Sequence, residues 1–139
     1  MSQPTPQQPV SAPDALLKFT VQGHDLASNP VPPKLTIDGY DAPTMVAGTT
    51  HIPIMSGRHQ LRASAWWLRR FGHAVIDVDI APGETVEVFY ATPHHQLVRH
   101  GSMGLTPQVR KGLAGFVTFL VLFVVIVLAV PTIWMLAPG

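Results

Sequence analysis

Apolar and polar residues alternate with a period of two through much of the segment 16–90. Leu17, Phe19 and Val21, for example, alternate with Lys18 and Thr20. Because successive side chains of an extended strand point to opposite faces, this alternation indicates a half-buried β-strand. Related short strands, separated by Gly, Pro and Asp-Gly turns, are predicted at 35–37, 49–55, 59–67, 76–80 and 86–90. Six or seven short strands joined by such turns are typical of a small antiparallel β-sandwich or a partly open barrel.

The pattern changes completely near residue 112. Residues 113–137 form a run of 25 residues without a charged side chain. A helix of this length measures about 37 Å, which exceeds the ~30 Å hydrocarbon core of a bilayer. Backbone groups in lipid must be satisfied within the segment, so a single span has to be helical. The sequence therefore predicts a transmembrane helix over 112–137, with a kink or an end at Pro131 and with Trp134 at the far interface.

The charges that flank this span predict its orientation. Arg110 and Lys111 directly precede it, and no basic residue follows it, because all nine Lys and Arg residues lie within 1–111. The start of the chain has neither a basic region nor an apolar core, so it does not read as a signal peptide. The positive-inside rule then predicts a tail-anchored protein of the plasma (inner) membrane, with the N-terminal domain in the cytoplasm and the C-terminus outside.

Four segments follow from these patterns. They are a Pro/Gln-rich flexible tail at 1–14, a β-sandwich at 15–93, a basic and His-rich juxtamembrane linker at 94–111, and the transmembrane helix at 112–137. The chain has no cysteine, which excludes a disulfide scaffold and thiolate metal sites. Its formal net charge is only +1, and this balance argues against a nucleic-acid partner.

The turn motifs of the β region resemble those of a PEGA domain. The matching segments lie at 35–39, 48–54, 56–61, 71–72 and 76–88. Two of them depart from the family pattern: Ser56-Gly-Arg-His59 stands where the family has Pro-Gly-Glu-His, and Phe71-Gly72 replaces Gly-Tyr. The resemblance implies a non-catalytic β module for display or interaction, and it carries over no site residues.

The size and arrangement of the whole chain also resemble those of small accessory subunits of the actinobacterial cytochrome bcc–oxidase supercomplex. This resemblance implies a non-catalytic structural subunit without a cofactor of its own. Its helix would pack against the helices of cytochrome bcc and oxidase subunits, and its β domain would dock on their cytosolic face. An envelope-binding PEGA-type module is the alternative if the topology is inverted.

Three histidines precede the membrane segment: His94, His95 and His100. Imidazole nitrogens bind zinc or copper and can face a haem, so a metal- or haem-handling protein is a second alternative. Adjacent histidines cannot easily reach one ion, and their spacing matches no standard zinc pattern. A solvated juxtamembrane segment explains these residues better, and the sequence predicts no bound metal.

The most unusual cluster comprises Trp66, Trp67, Arg69 and Arg70. On a regular strand the two tryptophans face opposite sides, so one can enter the core while the other is exposed. Exposed Trp beside Arg is the composition of a protein interface hot spot, and we expect these four residues to contact a partner. Packing within the domain and contact with the lipid surface are the alternatives.

The sequence offers little enzyme chemistry. Asp77 and Asp79 lie on one face of a predicted strand, but their apolar neighbours indicate a solvated sheet face rather than an acid–base pair. No phosphate-binding loop, nucleophile elbow or metalloprotease motif is present. The sequence therefore predicts a protein that is not an enzyme.

Overall fold

The computed structural model describes residues 11–23, 31–94 and 97–136. Within these residues the chain forms eight strands followed by one helix. The elements are β1 (Ala15–Gln22), β2 (Lys34–Ile37), β3 (Tyr40–Ala42), β4 (Gly48–Ile54), β5 (Gly57–Trp66), β6 (Arg70–Ile80), β7 (Thr85–Ala91), β8 (Ser102–Gly104) and α1 (Leu113–Leu136). Most of the predicted tail at 1–14 lies outside the described residues.

The strands form two four-stranded sheets, with the orders β4-β1-β7-β8 and β3-β2-β5-β6. The inner faces of both sheets contribute to one apolar core. The alternating residues Leu17, Phe19 and Val21 are buried, as the sequence predicts. Phe19 stacks on Tyr90 with ring centroids 6.2 Å apart. A mainly β fold followed by one apolar C-terminal helix is thereby confirmed.

The first sheet is mixed rather than purely antiparallel. Strand β1 lies in its interior and pairs antiparallel with β4 but parallel with β7, where Phe19 faces Val88. A parallel pair needs a long crossover connection, and here the intervening strands β2 to β6 supply it. Alternation predicts which face of a strand is buried, but it carries no information on the direction of the neighbouring strand.

The hairpin between β5 and β6 also differs from its prediction. The predicted strands leave 68–75 as the connection between them, whereas β6 already begins at Arg70. Phe71 and Gly72 are both buried and so hide the alternation that marks a strand. The β5–β6 register also shifts between Ala63 and Ala65, which indicates a β-bulge.

The segment 94–111 is not a simple linker. Its residues Ser102–Gly104 form β8, which pairs antiparallel with β7 and extends the first sheet. His100 additionally forms an isolated parallel bridge with His73 of β6. Three residues are too few to show a period of two, so sequence pattern alone does not reveal this strand.

Within the described residues, α1 is the one helix long and apolar enough to cross a membrane, judged by length and composition. It does not end at Pro131 but continues to Leu136. The hydroxyl of Thr132 donates to the carbonyl oxygens of Leu128 and Ala129, at 3.0 and 2.8 Å. Side-chain hydroxyls of this kind help to satisfy backbone groups near a proline in a membrane helix.

Candidate functional site

The connection between the sandwich and α1 is pinned to the sandwich almost to its last residue. The backbone N–H of Gln108 donates to Gln22 Oε1 at 2.6 Å. The Nε of Arg110 donates to the Thr92 carbonyl at 2.9 Å, and the His94 N–H donates to the Lys111 carbonyl at 3.0 Å. Helix α1 then begins at Leu113. We call residues 108–111 the stem; Gly112 alone separates it from the helix.

The stem leaves the sandwich at the same end as the tip of the β5–β6 hairpin. Tyr90, near the end of β7, donates its buried hydroxyl to the Gly72 carbonyl at 2.6 Å. The Gly72 N–H donates in turn to the Val98 carbonyl at 3.3 Å. Burial also raises the pKa of the Tyr90 hydroxyl above its ordinary value. Because Thr92 and His94 follow directly after β7, these contacts fix the start of β6 close to the stem.

The hairpin tip, residues 66–70, is an exposed aromatic and basic loop. Trp66 pairs with Arg70, and the Trp67 N–H donates to the Arg69 carbonyl across the turn. The exposed fractions are 52% for Trp66, 41% for Trp67 and 76% for Leu68. Both arginines are exposed as well.

The structure corrects the expectation that one tryptophan of this pair enters the core. Ala63, Ser64 and Ala65 are buried in succession at the β-bulge, so the strict two-residue alternation is lost before Trp66. The core ends at Ala65 and Phe71, and the chain beyond them projects past it. The proposed partner contact of Trp66, Trp67, Arg69 and Arg70 stays a prediction.

Positive charge gathers around the tip and the stem. One shallow depression is lined by Arg69, Arg70, Phe71, His73 and Arg99. A second one includes His73, His100 and Lys111 among its lining residues. Thus the end of the sandwich that carries the stem presents several cationic or titratable groups together.

The acidic side chains of the described residues lie elsewhere. Asp14, Asp38, Asp77, Asp79, Glu84 and Glu87 belong to the opposite half of the sandwich, as the pairing of their strands and turns shows. Asp41 forms an ion pair with Lys34 at 3.1 Å. The described part of the domain is therefore electrically polarised, with its basic end toward the stem.

The three residues predicted to flank the membrane differ in exposure and in their contacts. Lys111 is exposed beside the first turn of α1, and Trp134 is exposed near its far end. Arg110 instead is half-buried and turns back to the Thr92 carbonyl. Its guanidinium packs so closely against Gly23 that a Cβ there would lie 2.9 Å from the Arg110 Cδ. Arg110 therefore joins the stem to the sandwich.

The histidines predicted as weak metal candidates do not form a common site among the described residues. The His94 backbone holds Lys111, His100 is exposed opposite His73, and His95 lies outside the described residues. Within the described ranges, no group of three His, Asp or Glu side chains is placed to hold a metal ion. The proximity of His73 and His100 arises from strand pairing, and no sequence spacing signals it.

At the opposite end of the sandwich, His59 connects two turns. Its Nδ1 lies 2.6 Å from Asp38 Oδ2, and its Nε2 lies 2.7 Å from the Met55 carbonyl oxygen. A carbonyl and a carboxylate both accept hydrogen bonds, so these two contacts favour the imidazolium form of the ring, in which both nitrogens donate. Partial burial lowers the pKa of His59, but the bonds to Asp38 and Met55 outweigh it and raise the pKa on balance. The Gln60 N–H and His59 together lower the pKa of Asp38.

These shifts predict a pH-dependent contribution of His59 to stability. Because its folded pKa is raised, the contribution is fully present below the unfolded value of about 6.5 and is lost as pH rises through the folded pKa. We expect His59→Ala to lower the free energy of unfolding by about 1 kcal/mol near pH 6, since solvent screens this partly exposed pair, and by less near pH 9. Urea titrations at both pH values measure this difference. His51→Ala, at an exposed position of β4, is the control, and an equal loss at both pH values would contradict the ion pair.

Comparison with protein-family models, with curated proteins and with solved structures finds no match to this chain. The PEGA-like and accessory-subunit resemblances therefore stay hypotheses. Three features of the described residues bear on function: the apolar helix, the pinned stem and the aromatic–basic tip.

Proposed function

We propose that this chain is a non-catalytic accessory subunit of a larger membrane protein complex. The observation that carries the proposal is the stem. Hydrogen bonds hold the chain to the sandwich up to Lys111, and α1 begins two residues later. A domain attached in this way is held close to the start of the helix, as a structural subunit of a membrane complex requires.

The helix supports the same proposal. Its side chains are apolar on all sides, and those from Val117 to Leu128 are exposed to their surroundings. A span without an ionisable residue cannot itself conduct ions or protons. Its surface is suited to packing against lipid and against the apolar helices of another membrane protein.

The orientation belongs to the proposal as well. The exposed Lys111 and the half-buried Arg110 stand at the start of the span, and residues 112–139 contain no Lys or Arg. By the positive-inside rule the β domain lies on the cytoplasmic side of the plasma membrane. As partners we propose subunits of the respiratory cytochrome bcc–oxidase type, on the strength of the resemblance in size and arrangement described above.

Co-purification tests this function. We expect an N-terminally tagged chain, extracted in mild detergent, to recover other membrane subunits at a fixed ratio, together with a haem absorbance spectrum. The control replaces residues 113–136 by a Leu/Ala helix of equal length, which keeps the anchor and removes the specific helix surface. We expect this variant to remain in the membrane and to lose most of the recovered subunits.

Three outcomes would contradict different parts of this proposal. Recovery of the tagged chain alone would refute the accessory-subunit function. Recovery of a haem-free complex would refute the respiratory partner and keep the function. Equal recovery with the replaced helix would show that the helix surface does not carry the partner contact.

A further inference from the structure

The hairpin tip projects beyond the sandwich at the end where the helix is attached. Arg70 precedes Gly72 by two residues in β6 and pairs with Trp66, so both residues extend about 7 Å past the contact of Gly72 with Tyr90 and Val98. The turn residues 67–69 lie further out. Leu97 and, in the stem itself, Val109 are 70% and 85% exposed and add apolar surface.

We infer that this tip is a second membrane contact, which inserts Trp66, Trp67 and Leu68 into the headgroup region beside the anchor and binds anionic phospholipid. The contact would hold the β domain against the bilayer at two points instead of one. The inference rests on the membrane anchorage in the proposed function, but it does not depend on the identity of a protein partner.

The chemistry of the tip fits this environment. Tryptophan prefers the membrane–water interface, where its ring meets acyl chains and its N–H meets water or headgroups. A phospholipid phosphate carries the negative charge that Arg69, Arg70 and Arg99 complement around their common depression. Arginine is well suited to phosphate because its planar guanidinium can donate two parallel hydrogen bonds.

Charge and position together favour lipid over a protein partner for this surface. Lys111 and the arginines of the tip face the same end, whereas the acidic side chains of the described residues lie in the other half or are paired, as Asp41 is. Basic side chains next to an anionic leaflet each strengthen binding. The single residue between stem and helix keeps this end near the headgroups even when no other protein is present.

Site-directed spin labelling of the full chain tests the inference. The chain has no cysteine, so Leu68→Cys and Thr85→Cys each give a single label, at the tip and at the opposite end of the sandwich. Both positions are exposed, so the core is untouched. The chain alone is reconstituted into vesicles of phosphatidylglycerol and phosphatidylcholine, or of phosphatidylcholine only, and the access of oxygen and of a water-soluble nickel complex is measured.

We expect the label at 68 to have several-fold lower nickel access and higher oxygen access than the label at 85 in anionic vesicles. In phosphatidylcholine with added inorganic phosphate, the difference should shrink, because free phosphate does not anchor the tip. Arg69→Gln with Arg70→Gln should also reduce the difference between the two labels in anionic vesicles. Arg58→Gln with Arg62→Gln, at exposed positions of β5 away from the tip, should leave that difference unchanged.

Equal nickel access at 68 and 85 in anionic vesicles would overturn the inference. Protection of the label at 68 only in native membranes would also overturn it and would assign the tip to a protein partner. Because these vesicles contain this chain alone, either result leaves the co-purification test of the proposed function unaffected.

Discussion

Gly72→Ala is expected to lower the free energy of unfolding of the β domain by about 2–4 kcal/mol, from backbone strain and overpacking together. Gly72 has a φ of +63°, which an alanine adopts only with strain. An added Cβ would lie 2.7 Å from Pro93 Cδ and 2.9 Å from the Tyr90 hydroxyl oxygen. This position joins the hairpin tip to the end of β7, so the loss would affect the whole basic end of the sandwich.

Gly83→Ala provides a matched control. Gly83 has a similar φ of +74°, but nothing lies within 4 Å of a Cβ there. We expect it to cost only about 1 kcal/mol, from backbone strain alone. Urea unfolding of both variants in detergent, followed by tryptophan fluorescence and circular dichroism, measures the difference. Equal losses would show that the contact with Tyr90 and Pro93 does not constrain this joint.

The double variant Phe123→Arg with Ile126→Arg is expected to remove the chain from the membrane. Each arginine near the centre of a span adds about 2.5–3.5 kcal/mol to the cost of insertion, so the pair adds roughly 5–7 kcal/mol. Neither position lies close enough to the helix ends for the side chains to reach water easily. Alkaline carbonate extraction should then move most of the protein from the membrane pellet to the supernatant or to aggregates.

The control for this variant is leucine at the same two positions. Leucine keeps the span apolar, so the protein should stay in the pellet as the wild type does. Full retention of the arginine variant would contradict a bilayer-spanning role for α1.

Local patterns predict much of this fold. Alternation correctly identifies the buried Leu17, Phe19 and Val21, and an Asp-Gly turn at 38–39 correctly ends β2, although the short strand β3 that follows it is not predicted. The uncharged C-terminal run correctly predicts one apolar helix. Each of these features depends on residues that are close in the sequence, so a short window contains the necessary information.

Local patterns do not predict features that depend on pairing between strands far apart in the sequence. The parallel alignment of β1 with β7 joins residues about seventy positions apart, and β8 is recognisable only through its pairing with β7. The candidate site shows the same limit. The cluster at 66–70 stands out by composition, but its position beside the stem follows from the contacts of Gly72, Tyr90 and Lys111.

The two basic residues directly before the span have different roles in the structure. The sequence predicts Arg110 and Lys111 as equivalent membrane flanks, whereas Arg110 is turned toward Thr92 and only Lys111 is exposed. The direction of a long side chain depends on the acceptors near it in space. Here the Thr92 carbonyl is such an acceptor, and it makes the stem part of the sandwich.

The mass of the assembly that contains this chain tests its proposed role most directly. Native mass spectrometry of material extracted from native membranes in mild detergent gives that mass and the subunit ratio. We expect the chain in one larger complex with other membrane subunits, at a fixed ratio and with little unassembled chain. A mass of 15.1 kDa, apart from bound lipid and detergent, would contradict the accessory-subunit function.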